Sequence, residues 1–114
     1  MGSKIYHMCR RDEWAAAVAS GLYHGSSQDR ADGFIHFSTA EQIVESARRH
    51  RAGQDGLLLV AVEAARLGDR LRWETARNGA LFPHLYGPLA PHEAVRVDPL
   101  PLGPDGEHVF PPLG

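Results

Sequence analysis

The sequence predicts a protein of the α+β class, with two main helices packed on a largely antiparallel or mixed sheet. Three observations lead to this prediction. Two helical segments alternate with short strand segments, residues 57–62 form a continuously apolar run typical of a strand buried on both faces, and further short strands follow. A length of 114 residues is that of one domain, residues 1–114.

The first third of the chain predicts strand, helix and strand in that order. Residues 3–8 have the pattern of a strand, and Asp12 can cap a helix that Gly21 ends. The apolar positions of this helix recur at helical spacing and are Trp14, Ala17, Val18 and Leu22. Residues 23–32 are polar and contain glycine, which predicts a loop, and residues 34–37 predict the second strand.

A capping box predicts the start of the second helix. In Ser38-Thr39-Ala40-Glu41 a hydroxyl precedes a glutamate by three residues. The apolar face that follows consists of Ala40, Ile43, Val44 and Ala47. We expect Gly53 to end this helix.

The second half predicts strands and an extended tail. The expected elements are a central strand at residues 57–62, a turn or helical fragment at 64–68, a strand at 71–74, a tight turn at Asn78-Gly79 and a strand at 94–98. The proline-rich residues 99–114 predict an extended tail, in which residues 108–110 can add an edge strand.

Composition and charge bear on whether the protein binds nucleic acid or a membrane, and on its compartment. The net charge of -2 provides no basic patch for nucleic acid, so we expect no DNA partner and only a weak case for RNA. The single cysteine, Cys9, excludes an internal disulfide and fits a reducing compartment. The sequence also shows neither a membrane-length apolar run nor a signal peptide, which predicts a cytoplasmic protein without a membrane partner.

Three histidines among aromatic residues predict one polar site. His7 and His36 interrupt apolar strand segments, and His84 lies in Phe82-Pro-His-Leu-Tyr-Gly. A polar ring in such a setting must find a hydrogen-bond partner or face a cavity. The alternative is that these are ordinary core histidines without chemistry.

Other polar side chains can complete such a site. Arg72 and Glu74 share one face of their predicted strand, where they offer an anion contact and a carboxylate, or form an exposed ion pair. Ser38 and Thr39 offer hydroxyls near a helix start to an anion, or act only as caps. The histidine spacings match no compact metal motif, so we expect no metal site.

Several blocks of the chain resemble a bacterial family, domain-of-unknown-function family 952. The most specific are Gly33-Phe-Ile-His-Phe-Ser38 and Phe82-Pro-His-Leu-Tyr-Gly87. Further matching residues are Tyr6-His7-Met8, Trp14, Tyr23, Gln42 and Arg72-Trp-Glu74. The resemblance spans about residues 4–98 and leaves 99–114 as a tail.

That family is similar in fold to ADP-ribosyltransferases and RNA 2'-phosphotransferases, so the resemblance implies an ADP-ribosyltransferase-like split sheet. Enzymes of this fold carry a histidine on the first strand, a histidine or aromatic residue before a hydroxyl on the next, and often a glutamate on a later strand. His7, His36 with Ser38, and Glu74 are similar to these positions. Glu63 is another choice for the carboxylate.

The resemblance implies a transferase acting on NAD as candidate substrate, with His7, His36 and Glu74 as catalytic residues. His7 would hydrogen-bond a ribose hydroxyl. We expect residues 82–88 to form a loop that closes the pocket, since Pro83 and Pro88 stiffen it. The residues implied to contact the small-molecule ligand are Tyr23, Ser38, Thr39, Arg72, His84 and Tyr86. The alternatives are a 2'-phosphotransferase-like activity on RNA or a nucleotide, a non-catalytic ligand-binding module, and a small fold kept for partner contacts.

Overall fold

The computed structural model describes residues 3–76 and 79–113 and confirms the α+β class. Its strands are β1 (Lys4–Arg10), β2 (Ile35–His36), β3 (Ser38–Thr39), β4 (Leu57–Glu63), β5 (Leu71–Thr75), β6 (Leu81–Leu85) and β7 (Ala94–Leu100). Its helices are α1 (Arg11–Ser20), α2 (Ser27–Asp32) and α3 (Ile43–His50), with 3₁₀ helices at Ala64–Arg70 and Pro91–Glu93. The described residues include no helix long and apolar enough to cross a membrane.

The strands form two antiparallel sheets. The first sheet has the order β3-β1-β4-β7, and the second has the order β2-β6-β5. The central strand β4 is buried on both faces along Leu57–Val62, as its uninterrupted apolar sequence predicts.

Two hydrophobic cores lie on the two faces of the first sheet. One core joins the two sheets, since Ile5, Val60 and Val62 pack there with Ile35 and Leu85. The other core lies under α3. Side chains alternate between the faces of β1, so His7 points into the core between the sheets, as Ile5 and Cys9 do.

The chain passes from the second sheet to the first between His36 and Ser38. Pro83 explains why β2 ends so soon. Phe37 N–H donates to the carbonyl of Pro83 at 3.0 Å, but proline has no N–H to return. The two residues of β2 therefore pair with β6, and after Phe37 the two residues of β3 pair with β1.

Three predictions in the first half of the chain are wrong. Residues 23–32 are not only loop, because α2 forms with Ser26 as its N-cap. The box at Ser38-Thr39-Ala40-Glu41 does not cap a helix: Ser38 and Thr39 form β3, and α3 begins at Ile43 after Gln42. Two predicted apolar positions of α1 face solvent, with Val18 59% and Leu22 43% exposed.

Other boundaries also differ from the prediction. Helix α1 follows Arg10 as N-cap, where Glu13 Oε1 accepts from the Arg10 N–H at 3.2 Å, rather than Asp12. Gly21 does end α1 in the left-handed conformation. Helix α3 ends at His50 with Arg51 as C-cap, before Gly53.

The second half follows the prediction more closely. The helical fragment after β4, the strand β5 and the strand β7 are confirmed. The predicted loop at residues 82–88 is wrong over most of its length, because β6 is the middle strand of the second sheet. His108 forms an isolated bridge with Leu102 instead of a strand. The turn predicted at Asn78-Gly79 lies partly outside the described residues.

Candidate functional site

The predicted site residues form two neighbouring groups. The inner group lies between α2, β1 and β2 and consists of His7, Tyr23, Asp29 and His36. The outer group lies on β5, on β6 and just after β6, and consists of Arg72, Glu74, His84 and Tyr86.

His7 is buried and uses both ring nitrogens within the protein. A carbonyl oxygen only accepts, so the Nδ1–H of His7 donates to the backbone oxygen of His36 at 2.6 Å. Its Nε2 accepts from the hydroxyl of Tyr23 at 2.7 Å. Burial lowers the pKa of His7, which favours this neutral form.

Tyr23 is held in place from both sides. Its ring meets Trp14 of α1 edge-on at 5.6 Å and His7 at 5.3 Å. Its backbone exchanges two hydrogen bonds of 2.8 Å with Leu89. Burial raises the pKa of Tyr23, so the phenol stays protonated and can donate to His7.

Asp29 is the centre of the inner group. Its Oδ1 accepts from the ring Nδ1 of His36 at 2.6 Å and from the backbone N–H of His36 at 3.1 Å. Its Oδ2 accepts from the backbone N–H of Ser26 at 2.8 Å and lies 3.7 Å from His7 Nε2. Burial works to raise the pKa of Asp29, but the bonds from His36 and Ser26 outweigh it and lower the pKa to about 2.

His36 lies between two carboxylates. Its Nδ1 bonds Asp29, and its Nε2 lies 3.1 Å from Oδ2 of Asp32 at the end of α2. The hydrogen bond to Asp29 raises the pKa of His36, which favours an imidazolium that donates from both nitrogens. The side chain of His36 is 40% exposed, so this cation is accessible to a ligand.

In the outer group two donors hold one carboxylate. Oε1 of Glu74 accepts from His84 Nδ1 and from the Tyr86 hydroxyl, each at 2.8 Å. These bonds from His84 and Tyr86 lower the pKa of Glu74, so the carboxylate is ionised. The guanidinium carbon of Arg72 lies 4.6 Å from the centre of the Tyr86 ring, a cation–π contact.

Strand register brings the two groups onto one surface. His84 lies directly opposite His36 on one side and opposite Arg72 on the other, so the three side chains share a face of the second sheet. The ring of Phe34 stacks on His84 at 4.1 Å and contacts His36 at 4.5 Å. We call this surface the histidine face; it consists of Phe34, His36, Arg72, Glu74, His84 and Tyr86.

Two predicted contact residues lie elsewhere. Ser38 is buried in the first sheet, and its hydroxyl bonds Ser46 of α3 at 2.9 Å. Thr39 pairs with Ile5 in the same sheet, and its backbone N–H donates to the side chain of Gln42. Neither hydroxyl contributes to the histidine face.

Glu74 and Glu63 lie in different sheets. Glu63 ends β4 opposite Lys4, in the first sheet. Alternation along β4 directs Glu63 to the face opposite that of Val62, away from the core that His7 enters. One of its carboxylate oxygens, Oε2, is buried without a hydrogen-bond partner among the described residues. Glu74 is therefore the carboxylate beside the histidines.

The sequence reasoning missed Asp29, Asp32 and Phe34. Asp29 carried a readable signal, because Ser26 precedes it by three residues in a capping box that the structure contains. Phe34 alternates with His36 on the same face, which a strand pattern implies. Over residues 3–76 and 79–113, no three His, Cys, Asp or Glu side chains are grouped so as to hold a metal ion.

The structure thus defines a class of protein, an α+β fold in which histidines line one face of the smaller sheet. Residues 8–97 match the family described as protein of unknown function (DUF952), and the chain belongs to this family, which confirms the assignment made from the sequence. The chain is similar to protein CC0527 from Caulobacter crescentus. The two sequences are 48% identical, and the match to its crystal structure covers 94% of each chain with a TM-score of 0.90.

The solution NMR structure of CC0527 agrees with the crystal comparison. It is 50% identical, covers 91% of this chain and 90% of that chain, and has a TM-score of 0.83. The comparison with curated proteins found no match.

Proposed function

We propose that the histidine face binds a small nucleotide-like ligand, with NAD as the candidate, and that the protein is an ADP-ribosyltransferase-like enzyme. The observation that carries this proposal is the setting of Glu74. Its carboxylate is ionised, 37% exposed, and fixed by His84 and Tyr86 next to the Arg72 guanidinium. A carboxylate fixed in this way is suited to stabilising positive charge that develops on a sugar ring.

The proposed reaction breaks the bond between the ribose C1' and the nicotinamide nitrogen. The electron pair of that bond leaves with nicotinamide, and C1' acquires oxocarbenium character. Glu74 accepts a hydrogen bond from a ribose hydroxyl and faces the developing positive charge. An acceptor nucleophile then forms the new bond to C1' and loses its proton to solvent.

The neighbours of Glu74 suit the rest of such a ligand. Arg72 offers a guanidinium, which binds phosphate oxygens through paired N–H groups. The rings of Phe34 and Tyr86 lie 5.4 Å apart on the same face and offer apolar surface to a flat heterocycle. The imidazolium of His36 supplies a second cation on this face.

Two implied contacts change their role in this proposal. A hydrogen bond from His7 to a ribose hydroxyl needs a ring nitrogen that is already bonded to His36 or Tyr23. Tyr23 is buried beside Trp14, so it does not offer its face to a heterocycle. We therefore propose that His7 and Tyr23 support His36 from behind, and that His36 contacts the ligand.

The charges of the site favour glycosyl transfer over the 2'-phosphotransferase alternative. A phosphotransferase needs several cations that converge on one phosphate. The carboxylate of Glu74 on this face, and those of Asp29 and Asp32 beside His36, offset the positive charges of His36 and Arg72. Consumption of a 2'-phosphorylated oligonucleotide in the presence of NAD would reverse this preference.

The first experiment is an NMR titration of isotope-labelled protein with NAD, with nicotinamide release followed in the same sample. Saturable shifts at His36, Glu74 and Tyr86 support the proposed site, and released nicotinamide supports the transferase. Saturable shifts without release favour a non-catalytic binding module. Absence of shifts at millimolar NAD contradicts the dinucleotide proposal.

We predict that Glu74→Gln lowers nicotinamide release by about 100-fold or more, because it removes the charge that faces the oxocarbenium-like transition state. The dissociation constant of NAD should stay largely unchanged. The matched control is Glu45→Gln, which removes an exposed glutamate paired with Arg49 on α3. Equal release rates in the Glu74→Gln variant and the wild type would remove Glu74 from the mechanism.

A further inference from the structure

We infer that Asp29, which the sequence analysis did not select, is the positioning residue of this site. The inference deepens the proposed function and rests on it for the role of the ligand. Asp29 holds His36 in one orientation, with Nδ1 bound to the buried carboxylate and Nε2 directed to the partly exposed carboxylate of Asp32.

The contacts of Asp29 fix both the ring and the backbone of His36. One oxygen, Oδ1, takes the Nδ1–H and the backbone N–H of the same residue. The bond from the backbone N–H fixes Oδ1 relative to the main chain of His36, and the bond from Nδ1 then orients the ring. The side chain of Asp29 is 4% exposed, so water does not compete for these bonds.

The backbone around Asp29 is shaped to hold it. Ser26 and Asp29 cap α2 reciprocally, since the Ser26 hydroxyl accepts from Asp29 N–H at 3.2 Å and Oδ2 accepts from Ser26 N–H at 2.8 Å. Gly25 has a φ of 92°, and a Cβ on it would come within 2.6 Å of the Asp29 Cβ and 2.8 Å of Oδ2. Only a residue without a side chain lets the carboxylate take this place.

The two carboxylates beside His36 differ in access. Asp29 is buried, whereas the side chain of Asp32 is 38% exposed and bonds the outward-facing Nε2. An oxygen of a ligand can replace Asp32 at that nitrogen because Asp32 can return to solvent. It cannot replace Asp29, which is enclosed by Ser26, Gly25 and His36.

A pH-dependent interaction with the ligand follows from this arrangement. The titratable groups around His36 are Asp29 and Asp32 of α2, His7 of β1 and His84 of β6. The two carboxylates favour the imidazolium, and the lowered pKa of His7 leaves that neighbour neutral. Ligand affinity should therefore fall as pH rises through the pKa of His36.

The test measures the pKa of His36 by NMR in the ligand-free wild type and in Asp29→Asn, with Asp12→Asn as an exposed control. We expect a wild-type pKa above 6.5 and a lower pKa in Asp29→Asn, because the variant removes the charge that favours the imidazolium. The control should leave it unchanged. A His36 pKa that is the same in Asp29→Asn and wild type overturns the inference.

Two further measurements keep the test decisive. If Asp29→Asn does not fold, the ring ¹⁵N chemical shifts of His36 in the wild type report its protonation state instead. A His36 ring that is already neutral below pH 6.5 overturns the inference. The affinity for NAD is then measured between pH 6 and pH 9. A decline that follows the His36 titration supports its role toward the ligand, and a flat profile overturns that role. Failure to bind NAD contradicts the proposed function, but the effect of Asp29 on the pKa of His36 can still be measured without ligand.

Discussion

At the scale of single residues, Gly25 allows a comparison that isolates one contact. Gly25 and Gly21 have nearly the same φ, 92° and 93°, but a Cβ at Gly21 would meet nothing within 4 Å. Alanine at either position incurs the left-handed penalty of about 1 kcal/mol. Only alanine at Gly25 must also displace Asp29.

We predict that Gly25→Ala lowers the free energy of unfolding by more than Gly21→Ala and also lowers the pKa of His36. The reason is that the new methyl group moves the carboxylate away from the His36 ring. Urea unfolding and histidine NMR titration measure the two effects. Equal effects of the two substitutions on both quantities would show that Asp29 tolerates the methyl group.

The capping-box pattern occurs twice in this chain, but it caps a helix only once. Ser26-Ser27-Gln28-Asp29 caps α2, whereas Ser38-Thr39-Ala40-Glu41 does not cap α3. Both stretches satisfy the local rule. Ser38 is taken by pairing with Tyr6 of β1, a partner that is distant in sequence. A local capping pattern predicts where a helix can start. It does not show that the same residues pair with a strand distant in sequence, as Ser38 does with Tyr6.

At the scale of elements, one buried hydroxyl pair joins α3 to β3. Ser46 and Ser38 bond each other at 2.9 Å, and both are buried. Removing one member leaves the other hydroxyl buried without its partner. Removing both leaves no such group.

We predict that Ser46→Ala and Ser38→Ala each lower the free energy of unfolding by about 1 to 2 kcal/mol. The double variant should lose less than the sum of the two, because it leaves no unpaired buried hydroxyl. Chemical denaturation of the four proteins in this double-mutant cycle provides the measurement. Additive losses would mean that the two hydroxyls do not stabilise each other.

The elements that the sequence predicted well are those whose patterns need no distant partner. Strand β4 follows from seven largely apolar residues in a row, and α1 ends at Gly21 as the local rule requires. The sequence predicts a loop where β6 forms, because Pro83 argues against a middle strand. The structure accommodates Pro83 opposite the point where β2 gives way to β3, so its missing N–H falls where the pairing ends.

At the scale of the whole molecule, three buried or half-buried groups contribute to the pH dependence of stability. The raised pKa of His36 adds stability below its ordinary value of 6.5, which is lost as pH rises through the raised value. The lowered pKa of His7 makes stability fall as pH drops below 6.5, because only the unfolded chain takes up the proton. Asp29 contributes about 2 kcal/mol above pH 3.8, which is lost as pH falls through about 2.

We predict that the free energy of unfolding is greatest near neutral pH and falls on both sides. In His36→Gln the decline above pH 6.5 should be reduced, because the group responsible for it is gone, while the decline in acid should remain. Urea unfolding at pH values from 3 to 9 measures both limbs. An unchanged alkaline limb in the variant would assign that limb to another group.

The histidines of the candidate site could be predicted from the sequence, but their arrangement could not. His7, His36 and His84 stand out because each is polar within an apolar or aromatic stretch. Their roles depend on pairing between segments far apart in sequence. His7 meets the His36 carbonyl across 29 residues, and Glu74 meets His84 through the register of β5 and β6. No local pattern contains that register.

The outer side of β2 would otherwise be open to a strand from a second molecule. The backbone N–H of His36 points away from β6, toward α2, and the buried Oδ1 of Asp29 accepts it. Unpaired N–H groups along a sheet edge are templates for polymerisation through added strands. The Asp29 carboxylate, which favours the charged form of His36, thus also prevents a strand of another chain from pairing at this edge of the smaller sheet. Loss of Asp29 should therefore increase self-association, which light scattering would detect.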